Sequence, residues 1–117
     1  MRTAAQAASA DLRVTARTPD AQFVQMVDEA LETAFRDFRP DFVIYNAGTD
    51  CMEEDPLGAL NISPQGIIKR DEVVFRHCYE RNKVPVVMVL SGGYLKENAP
   101  VIANSIRNLQ QVFGLQI

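Results

Sequence analysis

Apolar residues recur at three- and four-residue spacing along three stretches of the chain, which predicts three amphipathic helices. A hydroxyl residue followed by proline, at Thr18-Pro19 and at Ser63-Pro64, marks the start of the first two helices. Gly114 is placed to cap the end of the third helix. The helices are expected near residues 19–38, 64–81 and 98–113.

Three runs of β-branched, aromatic and other apolar residues precede the helices and predict strands. The runs near residues 41–46 and 84–90 are almost continuously apolar, which is typical of strands that are buried on both faces. A shorter run near residues 12–17 predicts a third strand. Strands that alternate with helices indicate an α/β fold, with a parallel sheet flanked by helices. The 117 residues are enough for one domain.

Composition narrows the function classes. The chain has 12 basic and 15 acidic residues and no basic stripe with interleaved aromatics, which argues against direct nucleic-acid binding. No run approaches the ~18 apolar residues of a membrane span. Cys51 and Cys78 lie far apart and His77 is the only histidine, so we expect free thiols in a reducing compartment. The Ala-, Ser- and Arg-rich start has the composition of a targeting peptide but lacks a clear apolar face.

Two unusual loops follow the two apolar strands, "NAGTDCMEEDPLG" and "SGGYLKENA". Ligands of parallel sheets bind beyond the carboxyl ends of the strands, so both loops are expected at the functional edge. In the first loop, Gly48 permits a tight turn, and the carboxylate of Asp50 is suited to Zn²⁺, Mg²⁺ or Mn²⁺. The alternative is a solvated acidic loop, because Glu53, Glu54 and Asp55 follow closely.

The second loop offers a close approach to a ligand. Gly92 and Gly93 let the main chain come near a bound molecule, and the hydroxyl of Tyr94 can stabilise a developing oxyanion. The alternative for Tyr94 is an aromatic plug beside the glycines. His77 lies in the middle of the second helix, with no acidic or nucleophilic residue at a useful spacing, and is expected to be structural or partly exposed rather than catalytic.

The segments "YNAGTD", "EDPLG", "ISPQGIIKRDEVVF" and "VPVVMVLSGGY", in this order, resemble the C-terminal part of histone deacetylases, most closely of class IV. The similarity extends from about Leu12 to Phe113. It implies part of the three-layer α/β/α arginase/deacetylase fold. Residues 12–117 would form the C-terminal portion of the catalytic domain, and residues 1–11 are expected to be a disordered tail.

The resemblance also implies a site. Such enzymes cleave an acyl-lysine amide with one zinc ion held by two Asp and one His, and Asp50 matches the last of these ligands. Tyr94 matches the residue that hydrogen-bonds the substrate carbonyl, while Leu57, Gly92 and Gly93 match channel-lining positions. The implied partners are acyl-lysine proteins such as histone tails, in the nucleus or the cytoplasm, with no direct contact to nucleic acid or membrane.

The chain departs from the family's pattern in two ways. Glu54 stands where the family usually has glycine. The D-x-H segment that supplies the other two zinc ligands, and the His-His segment that supplies the general base, are both missing. We therefore expect this chain by itself to bind zinc weakly and to be inactive. Two alternatives remain: a non-catalytic interaction module that retains the half-fold, and an unrelated α/β domain with Mg²⁺ at the acidic loop.

Overall fold

The computed structural model describes residues 10–52, 60–93 and 96–116. The three predicted helices are confirmed within these ranges, and the second continues into a short π-helix. None of the helices described there has the length and apolar character needed to cross a membrane. The elements are α1 (Asp20–Asp37), β1 (Val43–Asn46), α2 (Pro64–Phe75), the π-helix (Arg76–Arg81), β2 (Val86–Val89) and α3 (Asn98–Phe113).

The strands β1 and β2 pair in parallel, with Val43 opposite Val86 at the start of the ladder. This pairing confirms the α/β class, with α2 packed against both α1 and α3. Side chains alternate between the two faces of the sheet, and those of the helix-covered face are half-buried. On the other face Ile44 is 65% exposed and Val87 is 53% exposed. The expectation of strands covered on both faces therefore holds for one face of the described part of the chain.

The strand predicted near residues 12–17 is wrong. These residues pair with no strand in the described part of the chain and end in a turn, in which Thr18 N–H donates to the Thr15 carbonyl at 3.0 Å. The Thr18 hydroxyl accepts from Thr15 N–H at 3.0 Å, so it closes this turn and does not cap α1. Helix α1 begins one residue later than predicted, at Asp20, with Pro19 as an N-cap that makes no side-chain bond.

The starts of α1 and α2 are joined to each other. The predicted N-cap Ser63 is confirmed, because its hydroxyl accepts from Gly66 N–H at 3.2 Å. Both the hydroxyl and the backbone N–H of Ser63 donate to the carboxylate of Asp20, the first residue of α1. This joint lies beside the buried apolar cluster, which consists of Phe23, Met52, Ile62, Ile67 and Val101.

Candidate functional site

The two loops that follow β1 and β2 leave the sheet side by side, as the sequence predicts. Ala47 N–H donates to the carbonyl of Val89 at 2.7 Å, which extends the ladder beyond β1. The hydroxyl of Ser91 donates to Asn46 Oδ1 at 2.5 Å. The backbones then touch, since a Cβ atom added to Gly48 would lie 1.9 Å from the Ser91 carbonyl oxygen. Only glycine fits at this contact.

Two further glycines bring the second loop against the first. A Cβ on Gly93 would lie 1.9 Å from Thr49 Oγ1, and a Cβ on Gly92 would lie 2.9 Å from the carboxyl carbon of Asp50. Both glycines also have positive φ angles, of 76° for Gly92 and 81° for Gly93, which other residues rarely adopt. The backbone at Gly92 therefore forms a wall directly beside the Asp50 carboxylate.

Asp50 is exposed at this edge, where the sequence predicts a metal ligand. It makes no ion pair with another residue of the described ranges. In residues 10–52, 60–93 and 96–116, no three His, Cys, Asp or Glu side chains come close enough together to hold a metal ion. Asp50 is thus available to bind a cation, but the described part of the chain does not place beside it the further ligands of a three-ligand site.

A buried arginine on α2 holds the backbone of the loop that leads from β1 to Asp50. Arg70, on the inner face of α2, donates from Nη1 to the Gly48 carbonyl at 2.7 Å and from Nη2 to the Ala47 carbonyl at 3.3 Å. Its Nε donates to Asp71 Oδ1 at 3.0 Å, and Nη2 lies 2.9 Å from the same oxygen. The guanidinium therefore joins the last carbonyls of the strand end to a carboxylate on the helix.

Asp71 is itself held on both carboxylate oxygens. Tyr45 from β1 donates its hydroxyl to Oδ1, and Ser105 from α3 donates to Oδ2 at 2.6 Å. Burial raises the pKa of Tyr45, with Asp71 acting in the same direction, so this hydroxyl stays protonated and remains a donor. Burial is the largest influence on Arg70 and would lower its pKa, but the charges of Asp71, Tyr45 and Cys51 and the hydrogen bond to Asp71 together outweigh it, so the pKa is raised. The buried contact between Arg70 and Asp71 is therefore fully hydrogen-bonded.

A second buried contact fixes the residue before Asp50. Asn98, the first residue of α3, donates from Nδ2 to Thr49 Oγ1 at 2.8 Å, and the side chains of both residues are buried. No residue of the described ranges donates to Asn98 Oδ1. The added Cβ on Gly93 would also lie 2.7 Å from Asn98 Nδ2. Asn98 therefore lies where the two loops and the start of α3 meet.

Sequence reasoning missed Arg70, Asp71 and Asn98. A signal for the first two was available: both fall in the inward-facing pattern of α2, between the buried residues Ile67 and Val74. Two adjacent opposite charges at such positions indicate a buried ion pair. Nothing comparable marks Asn98, because its partner on the Asp50 loop is 49 positions away in sequence.

The other candidate residues lie elsewhere or outside the described part. Leu57 and Tyr94 fall outside the described ranges, as do Glu53, Glu54 and Asp55. The channel-lining role of Leu57 and the catalytic role of Tyr94 therefore stay predictions.

His77 is buried and has an acidic partner that sequence spacing did not suggest. Its Nε2 lies 2.6 Å from Asp28 Oδ1 of α1, and its ring stacks on Phe35 with ring centroids 6.4 Å apart. Both contacts tie the π-helix to α1 rather than to the loop that carries Asp50.

Both cysteines are free thiols, as predicted. Cys51 follows Asp50, and Arg70 Nη1 lies 3.5 Å from its sulfur. Burial raises the pKa of the Cys51 thiol, and the charge of Arg70 offsets this in part. Burial also raises the pKa of Cys78. Neither thiol therefore has the lowered pKa of a nucleophilic cysteine.

Comparison with known proteins agrees with the α/β fold. The family model of the histone deacetylase domain matches residues 1–109. Histone deacetylase 2 of Arabidopsis thaliana is 53% identical over 100 residues, which cover 86% of this chain and 26% of that protein. A probable deacetylase of Archaeoglobus fulgidus is 33% identical over 86 residues, which cover 70% of this chain and 23% of that protein.

The parallel strand pair and the two interlocked loops at its carboxyl edge are thus part of a histone deacetylase domain. The chain belongs to the histone deacetylase family. It spans about a quarter of the length of the relatives named above, at 26% and 23%. Membership of this family removes the alternative of an unrelated α/β domain.

Proposed function

We propose that this chain supplies the C-terminal part of the catalytic centre of a zinc-dependent lysine deacetylase, which hydrolyses acyl-lysine amides. The observation that carries the proposal is the exposed Asp50 carboxylate, which lies at the shared strand edge against the backbone of Gly92. A carboxylate at the end of a parallel strand is well placed to hold a divalent cation. Family membership supplies the reaction class.

Zinc fits this edge in part. Asp50 offers a hard oxygen donor, and its loop is supported from below by Arg70. A catalytic zinc ion usually has three protein ligands and an open position, so two further ligands must come from outside the described residues of this chain. The general base must come from outside as well. The isolated chain is therefore expected to bind zinc weakly and to hydrolyse nothing.

Each candidate residue has a separate task in the proposed reaction. When bound, zinc would polarise the acyl carbonyl and activate a water molecule. Tyr94 would donate a hydrogen bond to the substrate carbonyl oxygen, and this bond strengthens as negative charge develops on that oxygen. Gly92 and Gly93, together with Leu57, would line the channel for the acyl-lysine side chain.

The proposed substrates are acyl-lysine side chains of proteins, such as histone tails, and the proposed locations are the nucleus and the cytoplasm. A role in chromatin regulation follows from this substrate class. The names of the relatives support this proposal, since they include histone deacetylases. Removal of an acyl group restores the positive charge of lysine, so the product differs from the substrate in its attraction to acidic partners.

The test compares the chain alone with a fusion protein. In the fusion, the part of Arabidopsis histone deacetylase 2 that precedes its 100 matched residues is joined to residue 12 of this chain. Zinc content after dialysis and hydrolysis of an acetyl-lysine peptide are measured for both. We expect substoichiometric zinc and no turnover for the chain alone. The fusion should turn over, and Asp50→Ala should abolish that turnover. Stoichiometric zinc in the chain alone, or turnover that survives Asp50→Ala, would contradict the proposal.

One observation favours a second candidate function, a non-catalytic interaction module. The open face of the sheet carries Ile44, Val87 and Val89, which are 65%, 53% and 40% exposed. Parallel strands are normally covered on both faces, and an exposed apolar face is a common binding surface. In this case the exposed face binds a protein partner, and the site at Asp50 does not catalyse a reaction.

The two functions give different results in one binding experiment. The same upstream part of the Arabidopsis protein is added as a separate polypeptide, and binding and turnover are measured together. Binding without turnover favours the interaction module. Ile44→Lys should prevent binding in either case, whereas Ile106→Lys, a 38% exposed position on α3, is the matched control and should not.

A further inference from the structure

The path from β1 to Asp50 is short and has two carbonyls turned inward. Three residues, Ala47, Gly48 and Thr49, separate the strand from Asp50. The carbonyls of Ala47 and Gly48 both accept from Arg70, at 3.3 and 2.7 Å. The direction of these two peptide planes decides where the chain carries the next side chains. Whatever fixes these carbonyls therefore fixes the position of the Asp50 carboxylate.

An arginine suits this task better than any other side chain. Its five N–H donors lie in one plane at fixed angles, so a single group can hold two carbonyls and a carboxylate at once. Arg70 uses this geometry, because Nε and Nη2 engage Asp71 while Nη1 and Nη2 engage the carbonyls. The guanidinium carbon also lies 5.7 Å from the centre of the Tyr45 ring. A lysine has one nitrogen and cannot span these partners.

The arginine is aimed by three elements of the fold. Asp71, next to Arg70 on α2, is held by Tyr45 from β1 and by Ser105 from α3. Only 9% of the side-chain surface of Arg70 and 2% of that of Asp71 are exposed, so this arrangement has little freedom to move. The positive and negative charges of the pair compensate each other. The pair therefore acts on the loop through geometry and adds little net charge to the site.

We propose that Arg70 is a positioning residue, which sets the place of the Asp50 carboxylate by holding the carbonyls of Ala47 and Gly48. The importance of this role for catalysis rests on the proposed deacetylase function, whereas the ordering of the loop does not. Arg70 is buried behind the strand end and does not itself act on the substrate. Its loss should loosen the loop first and weaken metal binding as a consequence.

Loop order is measured in the chain alone by amide hydrogen exchange resolved by NMR. The reporter is Met52 N–H, which donates to the Thr49 carbonyl at 3.1 Å within the loop. The reference is Val84 N–H, which donates to the Cys78 carbonyl at 2.8 Å, on the stretch that leads into β2. We expect Arg70→Lys to speed exchange at Met52 by about tenfold relative to Val84, because exchange follows local opening.

Two further variants keep the test decisive if Arg70→Lys is poorly folded. Ser105→Ala removes one bond to Asp71 and should shift Met52 in the same direction by a smaller factor. Val74→Ala creates a cavity one helical turn beyond Arg70 and is the matched control. It should not change the ratio of the Met52 rate to the Val84 rate. If Arg70→Lys and Ser105→Ala also leave this ratio unchanged, the proposal is overturned.

The consequence for the metal is measured in the fusion with the upstream part of the deacetylase domain. Groups that orient a metal ligand typically affect affinity by about 10- to 100-fold, so Arg70→Lys should weaken zinc binding by about tenfold. Val74→Ala should leave the zinc affinity unchanged. Equal zinc affinity of Arg70→Lys and the parent, where Asp50→Asn does weaken zinc binding, would overturn the proposal. If instead Asp50→Asn leaves zinc affinity unchanged while the exchange results hold, it is the deacetylase function that fails.

Discussion

Replacement of Gly93 by alanine should destabilise the chain through one identifiable contact. The added methyl group would lie 1.9 Å from Thr49 Oγ1 and 2.7 Å from Asn98 Nδ2, both on buried side chains that are bonded to each other. Neither side chain can move away without breaking that bond. The backbone at Gly93 also has a φ angle of 81°, which adds a conformational cost for alanine.

Gly114 provides a matched control for the conformational part of the cost. It has a φ angle of 64° at the end of α3, and no atom lies within 4 Å of its added Cβ. Gly114→Ala should therefore lower the free energy of unfolding only by the strain of a left-handed alanine, about 1–2 kcal/mol. Gly93→Ala should lower the free energy of unfolding by that amount and by a further ~1–3 kcal/mol because of overpacking. The difference between the two variants isolates the contact between the loops.

The assay is equilibrium unfolding in urea, in which the midpoint and the slope give the free energy of unfolding. Thr49→Ala, which removes the atom that the new methyl group meets, should recover part of the loss when it is combined with Gly93→Ala. Equal losses for Gly93→Ala and Gly114→Ala would refute the reasoning, because the interlocked loops would then contribute nothing measurable.

Two further predictions concern catalysis and pH. In the fusion, Tyr94→Phe should lower kcat by about 10²- to 10³-fold with little change in substrate binding, as measured by steady-state kinetics; an unchanged kcat would leave Tyr94 as packing. Burial alone would raise the pKa of Glu72, but hydrogen bonds from Asn108, Lys69 and Arg76 lower it. The charged form is therefore favoured by folding, and the stability lost in Glu72→Gln should shrink as the pH falls below about 4.5 in urea titrations. A loss that grows in acid would contradict this sign.

The helices and the paired strands were predictable because burial alone decides them. The periodic apolar positions of α1, α2 and α3 need only one covered face each, and the three helices occur where the sequence places them. The two apolar strands run parallel, so their carboxyl ends lie at the same edge of the sheet. The meeting of the two loops that follow them was therefore also predictable. Asp50 lies at that edge for the same reason.

The errors have a local cause or a long-range one. At residues 12–17, two threonines bond to each other across a turn, and this local bonding replaces the strand. The roles of Arg70 and Asn98 depend on partners that are distant in sequence and come close only in the folded chain. Both residues hydrogen-bond to the loop between β1 and Asp50. Propensity and periodicity do not contain such pairings.

The exposed face of the sheet was not predictable from the strand sequence. Both faces of β1 and β2 carry apolar side chains, although Asn46 of β1 is polar, and the described helices cover one face only. A sequence reports which residues avoid water, but the partner that covers them is a property of the whole assembly.

The most direct test of the central claim is the zinc affinity of the fusion with Asp50→Asn, compared with Asp41→Asn. Both aspartates are exposed and belong to the segments that flank β1, but Asp41 precedes the strand whereas Asp50 follows it at the functional edge. The account predicts that Asp50→Asn weakens zinc binding by at least about tenfold, and that excess zinc partly restores activity. Asp41→Asn should match the parent. Full zinc affinity in Asp50→Asn would contradict the claim that the strand ends in a metal ligand.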